Sequence, residues 1–479
     1  MNYRQILRII GIALLILAVL MIIPLITALC FKESVEPFAL SIIITAVVGF
    51  AFTKVKVRTE SIYAKDGFAA VGLVWLAMSF FGALPYYLSG DIPNFADALF
   101  ESISSFTTTG ATIIDNFENV TRSGILWRLF STWIGGMGVL VFIMAVMPMS
   151  GEYSMHIMRA EVPGPTTGKL VPRAKNTAFI LYQIYIAFTI LEVILLMLGG
   201  MTFYDALIHS FATLGTGGIS TRDAGLLSYD SLYIETVVIV FMIISGMNYN
   251  LFFFAIIGKV KEAVKSEEFK LYLILIAVST LLITLGLKDV YGSYSFAIRA
   301  ALFNVCSMIS TTGFAAGDFS VWPVYTKWIL IMLMISGGCA ASTCGGIKLS
   351  RIIVLIKTAA ADVKKMIHPR TVSFPKLEGK RIAETTNHAV SSYFALYMII
   401  IFLTTLVISI DGYDISFNFS TAVACLSNVG RGVSVLGPSG SYNIFSPLSR
   451  AMLAFAMLLG RLEIYPIIIL LLPETWKKD

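Results

Sequence analysis

SISSFTTTGATIIDN, residues 102–116, decides how the rest of the chain is read. It is too short, too polar and too glycine-interrupted to cross a bilayer, yet it sits in a chain with the composition of a membrane protein. Of the 479 residues, 57% are hydrophobic and 13% charged, about half the charged share of a soluble domain, and the mean hydropathy is +0.83. The opening LRIIGIALLILAVLMIIPLITALCF outruns the roughly 7–15 apolar residues of a signal peptide and has no small-residue cleavage site. It reads as a retained first span.

A span needs about 20 apolar residues. Ten candidates lie at 7–29, 37–54, 67–88, 125–149, 177–200, 233–257, 270–288, 326–357, 388–410 and 447–472. Most Lys and Arg, including Lys54, Lys56, Arg58, Lys259, Lys261, Lys265, Lys364 and Lys365, fall in the loops that share a side with both termini. By the positive-inside rule that side is cytoplasmic. The net charge of +6 then follows from topology and calls for no nucleic-acid partner.

Between spans three and four, five and six, seven and eight, and nine and ten lie apolar stretches too short to cross. Aligned on a glycine, they read FADALFESISSFTTTG to Gly110, FYDALIHSFATLGTGG to Gly218, IRAALFNVCSMISTTG to Gly313 and ISFNFSTAVACLSNVG to Gly430. Ala98, Ala206 and Ala301 stand at one offset, and each glycine closes a Thr-x-Gly or Asn-x-Gly triplet. Fixed self-similarity of this kind defines a repeat. A helix of that length covers roughly half the hydrocarbon thickness, so the chain must enter and return. Returning as non-helical backbone is tolerated only where protein or water surrounds it. Glycine allows φ > 0, which lets successive carbonyls turn the same way, and a ring of carbonyls can replace a cation's hydration shell. The half-helices present their carbonyl ends, where the macrodipole favours a cation.

The expected fold is therefore an all-α integral membrane protein of ten transmembrane helices with four re-entrant half-helix pore loops. It comprises an N-terminal two-helix unit (1–66) and pseudo-symmetric span, pore-loop, span repeats at 67–150, 177–258, 270–357 and 388–479, with cytoplasmic loops at 151–176 and 358–387. Inside the third repeat, SGGCAASTCGGIK (336–348) disfavours a continuous helix, since glycine costs about 1 kcal/mol relative to alanine. Arg461, near the middle of the last span, must face the interior and hold a partner, and the free carbonyls of the broken eighth span suit it. Cys30, Cys306, Cys339, Cys344 and Cys425 lack metal or redox spacing, and no nucleotide or hydrolase motif is present. Asp97, Glu101, Asp205, His209, Glu192 and Glu235 are membrane-region polar groups whose sequence context leaves vestibule and structural roles open.

With TTTGAT, TLGTGGISTRD, STTGFAAGD, SNVGRG, SGGCAASTCGGIK and GRLEIYPIIILLLP, the chain resembles the Trk/Ktr/HKT superfamily of potassium transporters over its whole length. The extra N-terminal pair favours the bacterial Trk branch over the shorter Ktr subunits. That resemblance implies a K⁺ selectivity filter at Thr108, Thr109, Gly110, Thr216, Gly217, Gly218, Thr311, Thr312, Gly313, Asn428, Val429 and Gly430. A glycine in the first loop goes with potassium selectivity there, a serine with sodium in some plant members. It implies a gate at Gly337, Gly338, Ser342, Thr343, Gly345, Gly346 and Lys348, closed by Arg461. It also implies a homodimer in the bacterial inner membrane, seated on a TrkA-type cytosolic ring that binds nucleotides, with K⁺ as transported ion and no cofactor in this chain. The sequence departs from the pattern at Arg431, where proline is usual, at Ala341, where glycine is common, and at Cys344. The rival readings are an H⁺- or Na⁺-coupled carrier, which would show an inverted pair of broken helices, and a membrane enzyme, which would need converging His, Cys or carboxylate groups.

Overall fold

Uninterrupted apolar segments can satisfy their backbone only within themselves, and they form the long helices of this chain. The structure is a computed structural model that describes residues 1–56, 64–138, 174–222, 225–369, 374–433 and 440–476. In chain order the helices are α1 (Tyr3–Leu20), α2 (Ile22–Phe31), α3 (Glu36–Thr53), α4 (Ala64–Gly82), α5 (Leu84–Ser89), α6 (Phe95–Phe106), α7 (Arg122–Gly136), α8 (Ala174–Leu198), α9 (Phe203–Leu214), α10 (Leu232–Gly246), α11 (Tyr249–Ile256), α12 (Val260–Lys265), α13 (Glu267–Tyr291), α14 (Tyr294–Ile309), α15 (Val324–Ser336), α16 (Leu349–Ile367), α17 (Glu384–Ile408), α18 (Ile415–Leu426), α19 (Pro447–Arg461) and α20 (Tyr465–Leu471). The only sheet among the described residues is a hairpin of two-residue strands, β1 (Lys376–Leu377) and β2 (Lys380–Arg381).

Among the described residues, six helical segments are long and apolar enough to cross a membrane: Tyr3–Phe31, Glu36–Thr53, Lys65–Ser89, Ala178–Leu198, Glu267–Tyr291 and Glu384–Asp411. The fold is an all-helical membrane fold. Where the sequence suggests a continuous span at 233–257, α10 and α11 meet instead at a 95° bend. The expected span at 447–472 is also broken, between Arg461 and Tyr465, with Glu463 and Ile464 at φ of 54° and 67°. The break expected at 336–348 is present, since α15 stops at Ser336 and α16 starts at Leu349. The second half of the expected span 125–149 and nearly all of the loop 151–176 lie outside the described residues. The loop at 358–387 opens helically, because α16 continues to Ile367 before the hairpin.

The N-terminal pair is held by close backbone approach, a common device in membranes. A β-carbon at Gly11 would lie 2.7 Å from the Gly49 carbonyl oxygen. Glu33, in the turn between α2 and α3, accepts the backbone N–H groups of Arg122 at 2.7 Å and Ser123 at 3.0 Å, and the Ser123 hydroxyl at 2.6 Å. That carboxylate sits at the N-terminus of α7, where the helix leaves donors free and the dipole favours an anion. It ties the pair to the first repeat.

Gly11→Val should lower stability by about 1–3 kcal/mol through overpacking, read as a lower thermal unfolding midpoint in detergent; an unchanged midpoint would show that α1 and α3 do not depend on this contact.

Candidate functional site

The short helices α6, α9, α14 and α18 all end in the same turn. After the last helical residue, the N–H of Thr109, Gly217, Thr312 and Val429 bonds the carbonyl five residues back, on Ser104, Ala212, Ser307 and Ala424, at 2.8–3.0 Å. This is the Schellman closure, which needs a left-handed residue just before that N–H. Thr108, Thr216, Thr311 and Asn428 supply it at φ of 57°, 56°, 53° and 54°. Two residues later Gly110, Gly218, Gly313 and Gly430 are also at positive φ, from 57° to 85°. The glycine conformation was expected from the triplet. The left-handed Thr and Asn were not, because neither is the usual residue for it.

The loops close on one another in cyclic order. A β-carbon at Gly110 would stand 2.2 Å from the Gly217 carbonyl oxygen, one at Gly218 2.2 Å from that of Thr312, one at Gly313 2.0 Å from that of Val429, and one at Gly430 2.0 Å from that of Thr109. Each glycine thus abuts the carbonyl that precedes the next loop's glycine, and the fourth returns to the first. All four glycines line a single cavity.

A polar group nine residues before each of the first three glycines holds the returning segment. Glu101 accepts from Thr112 Oγ1 at 3.1 Å and Ile113 N–H at 3.0 Å. His209 Nε2 lies 2.9 Å from Ser220 Oγ. Asn304 donates to the Ala316 carbonyl at 2.7 Å and accepts its N–H at 3.1 Å. Glu101 is paired in turn with buried Arg128, which also donates to Ser104 Oγ and the Ala111 carbonyl. Glu101 and His209 are therefore structural supports, a role the sequence left open. Arg128 and Asn304 were missed, although Asn304 shares their offset in the aligned inserts. Tyr442, also missed, donates to the Gly430 carbonyl at 2.6 Å.

The loop 337–348 packs against the helix-end face of this ring. Gly345 donates its N–H to Thr311 Oγ1 at 2.8 Å, and a β-carbon there would lie 2.1 Å from the Ser427 carbonyl oxygen. Thr216 Oγ1 donates to the Thr343 carbonyl at 3.3 Å. So two of the left-handed threonines touch the loop through their hydroxyls, which glycine could not do. Gly337 and Gly346 fold the loop back, with φ of 63° and 75° and the Gly337 Cα facing the Gly345 carbonyl. Gly338 packs its Cα against the Gly246 carbonyl oxygen and Cys344 Sγ. Ala341 and Lys348 occupy positive φ as well, at 51° and 80°. The Lys348 ammonium, buried, donates to the Cys344 carbonyl and to Ser342 Oγ.

Three outside elements hold this loop. The carbonyls freed by the α10–α11 bend are taken by it: Cys339 N–H bonds Gly246 at 2.9 Å and Thr343 Oγ1 bonds Ser245 at 3.1 Å, while Tyr249 N–H bonds the Ala341 carbonyl at 3.1 Å. Glu268 accepts the N–H groups of Ala340 at 2.7 Å and Ser350 at 2.9 Å. Arg461 donates to the Thr343 carbonyl at 2.7 Å and to the carbonyls of Gly135 and Gly136. The broken eighth span is thus a partner of Arg461, as expected, and α7 supplies the second. Glu463, two residues on, turns away to pair with Arg351 at 2.6 Å. A second cavity lies against this loop and is lined by Ser342, Gly345, Lys348 and Arg461 among others.

On the glycine side, Arg431 and Arg222 both line the cavity that the four glycines share, as does Asp115. The structure therefore brings the twelve expected filter residues into one ring, sets the expected gate residues beneath it, and places Arg431 at its mouth. Among the described residues no group of His, Cys, Asp and Glu has the geometry to hold a metal ion.

The chain matches the sequence model of the TrkH family, described as a cation transport protein, over residues 31–478. It is 34% identical over 491 aligned residues to the Trk system potassium uptake protein TrkH of Escherichia coli K12, covering all of both chains. It is 32% identical to the Trk system potassium uptake protein TrkG of the same organism, covering 95% of this chain and 94% of that one. The crystal structure of the potassium transporter TrkH from Vibrio parahaemolyticus superposes with a TM-score of 0.88 at 32% identity, over the whole of both chains. With its full length matched in sequence and in fold, the chain belongs to the TrkH family of cation transport proteins.

Proposed function

We propose that this protein takes up potassium through a channel-like pore in the bacterial inner membrane, with the four-loop ring as selectivity filter and the loop 337–348 as gate. The observation that carries this reading is the cyclic closure of four glycine loops, each glycine against the next loop's carbonyl. Carbonyl oxygens so arranged replace the water that a K⁺ ion sheds on entry. The C-terminal ends of α6, α9, α14 and α18 converge on the same ring and add the negative ends of their dipoles. The relatives' names as potassium uptake proteins support the same cargo.

In this reading the structure is the closed state. The loop 337–348 covers the helix-end face of the ring, and Arg461 both pins it and sets a positive charge in the path. Opening requires that the Thr343, Gly135 and Gly136 carbonyls release the guanidinium. Helix α16 leaves the gate loop without interruption and ends in exposed Met366 and Ile367, so force applied at its far end reaches the gate directly. We assign that end to a TrkA-type cytosolic ring that binds nucleotides, with both termini on the same cytoplasmic side, and a homodimer in which each protomer has its own pore. The alternative of an H⁺- or Na⁺-coupled carrier gains no support from the four loops, which share one sense and lack the inverted pairing a carrier needs.

Uptake of radioactive rubidium into liposomes bearing the purified chain, driven by a K⁺ gradient, tests the proposal: saturable uptake blocked by K⁺ and not by Na⁺ is expected, and uptake indifferent to the two ions would overturn it. Gly110→Ser forces a β-carbon onto the Gly217 carbonyl, and a displacement of about 1.4 kcal/mol in relative ion binding should lower the K⁺ over Na⁺ preference roughly tenfold; an unchanged permeability ratio would contradict the filter assignment. Arg461→Ala removes charge-assisted bonds of about 1.5–3 kcal/mol each, so flux without any partner should rise roughly tenfold or more, whereas slower flux from folded protein would rule out a latch. Arg431→Gln should raise inward flux about twofold at low ionic strength, the size of one charge acting across roughly 10 Å of water, and the gain should fade as salt screens it.

A further inference from the structure

The carbonyl of the fourth ring glycine is already bonded. Tyr442 donates its hydroxyl to the Gly430 carbonyl at 2.6 Å, whereas among the described residues no donor reaches the carbonyls of Gly110, Gly218 or Gly313. Each returning segment runs into a short 3₁₀ turn, which opens at Phe117, Leu226, Phe319 and Tyr442. All four of these residues are buried. The first three have no hydroxyl, so the bond belongs to the fourth loop alone.

The surroundings fix where that hydroxyl points. The Tyr442 N–H bonds the Thr112 carbonyl at 2.7 Å, and Ser441 pairs with Thr112 in a parallel bridge. Its ring lies 5.9 Å from those of Phe100, on α6, and Phe445. The Cys425 thiol donates to the phenol oxygen at 3.7 Å, which leaves the phenol's one proton for Gly430. The first repeat thus aims a donor at the fourth loop. Tyr442 is fully buried and is not among the residues that line the cavity of the four glycines. The bond therefore engages the Gly430 oxygen from the protein side.

The fourth loop also lacks the support that the others have. Nine residues before Gly430 stands Thr421, whose hydroxyl has no partner among the described residues. At that offset Glu101, His209 and Asn304 hold the first three returning segments. Tyr442 reaches the fourth loop from another direction, and at a carbonyl rather than at the segment beyond it.

We propose that Tyr442 is a specificity-determining residue of the filter: it withholds one of the four glycine carbonyls, so that an ion at this ring meets three free oxygens and one shared with a phenol. This rests on the potassium-pore reading. The phenol proton takes one of the oxygen's two lone pairs and repels an approaching cation. Potassium is held by the carbonyls it reaches at once, so it binds this ring more weakly than it would bind four free oxygens.

The experiment is the unfolding midpoint of the purified full chain in detergent, titrated with KCl or NaCl against choline chloride at constant ionic strength, for wild type and Tyr442→Phe. The variant removes the hydroxyl and copies Phe117 and Phe319 of the other repeats. Each protein is compared with its own ion-free midpoint, so a general loss of stability in the variant does not enter. An ion that binds the folded filter raises the midpoint by mass action. Tyr442→Phe should reach a given K⁺-induced rise at about twofold to tenfold lower concentration than wild type, the range that one neutral hydrogen bond spans, with a smaller gain for Na⁺. An equal K⁺ requirement, or a higher one in the variant, would overturn the proposal, and an equal gain for both ions would overturn the assignment of specificity. A wild-type midpoint that responds to K⁺ and Na⁺ alike would instead refute the filter reading on which the proposal stands.

Discussion

Backbone that leaves a helix inside a membrane has no water to bond, and every unusual feature of this protein answers that constraint. Each of the short helices α6, α9, α14 and α18 stops by bending N–H groups beyond its end back to its own carbonyls, through a left-handed Thr or Asn. Such a residue costs about 1–2 kcal/mol where glycine would cost almost nothing. The side chains explain its use at three of the four positions. Thr216 and Thr311 bond the loop 337–348, and Asn428 donates to Thr109 Oγ1 at 3.0 Å and to the Met457 carbonyl at 2.9 Å. Thr108 Oγ1 has no partner among the described residues, and nothing in its contacts explains a threonine there.

The same constraint couples the ring to the loop 337–348. The bend after Gly246 exposes two carbonyls, and both are taken by donors of the loop 337–348. The break after Arg461 frees the following residues, and Glu463 turns to Arg351, whose guanidinium also stacks on Tyr393 at 4.1 Å. A displaced loop 337–348 would orphan the carbonyls of Ser245 and Gly246, each an uncompensated buried group.

Much of this was legible from particular residues. Four glycines at one offset announced the inserts, because glycine is the residue that a close backbone approach demands. The paired glycines of 337–338 and 345–346 announced the first break for the same reason. The mid-span arginine implied carbonyl partners, and Thr343 is one. The bend at Met247 and Asn248 was less legible, since flanking apolar runs of ordinary length mask a single Gly-Met-Asn step. The break at 463–464 had no local signal at all: a β-branched Ile at positive φ is unfavourable in itself and is maintained by its surroundings.

By itself, the sequence determined the membrane class, the four short inserts, the glycine positions and the arginine that needs a partner, because each depends on local length, hydropathy or the lack of a side chain. Only the tertiary structure decided the cyclic order of the loops, which carbonyls receive Arg461, and how Arg128 and Glu101 meet. Those are pairings between residues far apart in the chain, and no local preference encodes which of several distant groups will arrive to satisfy a buried charge or carbonyl.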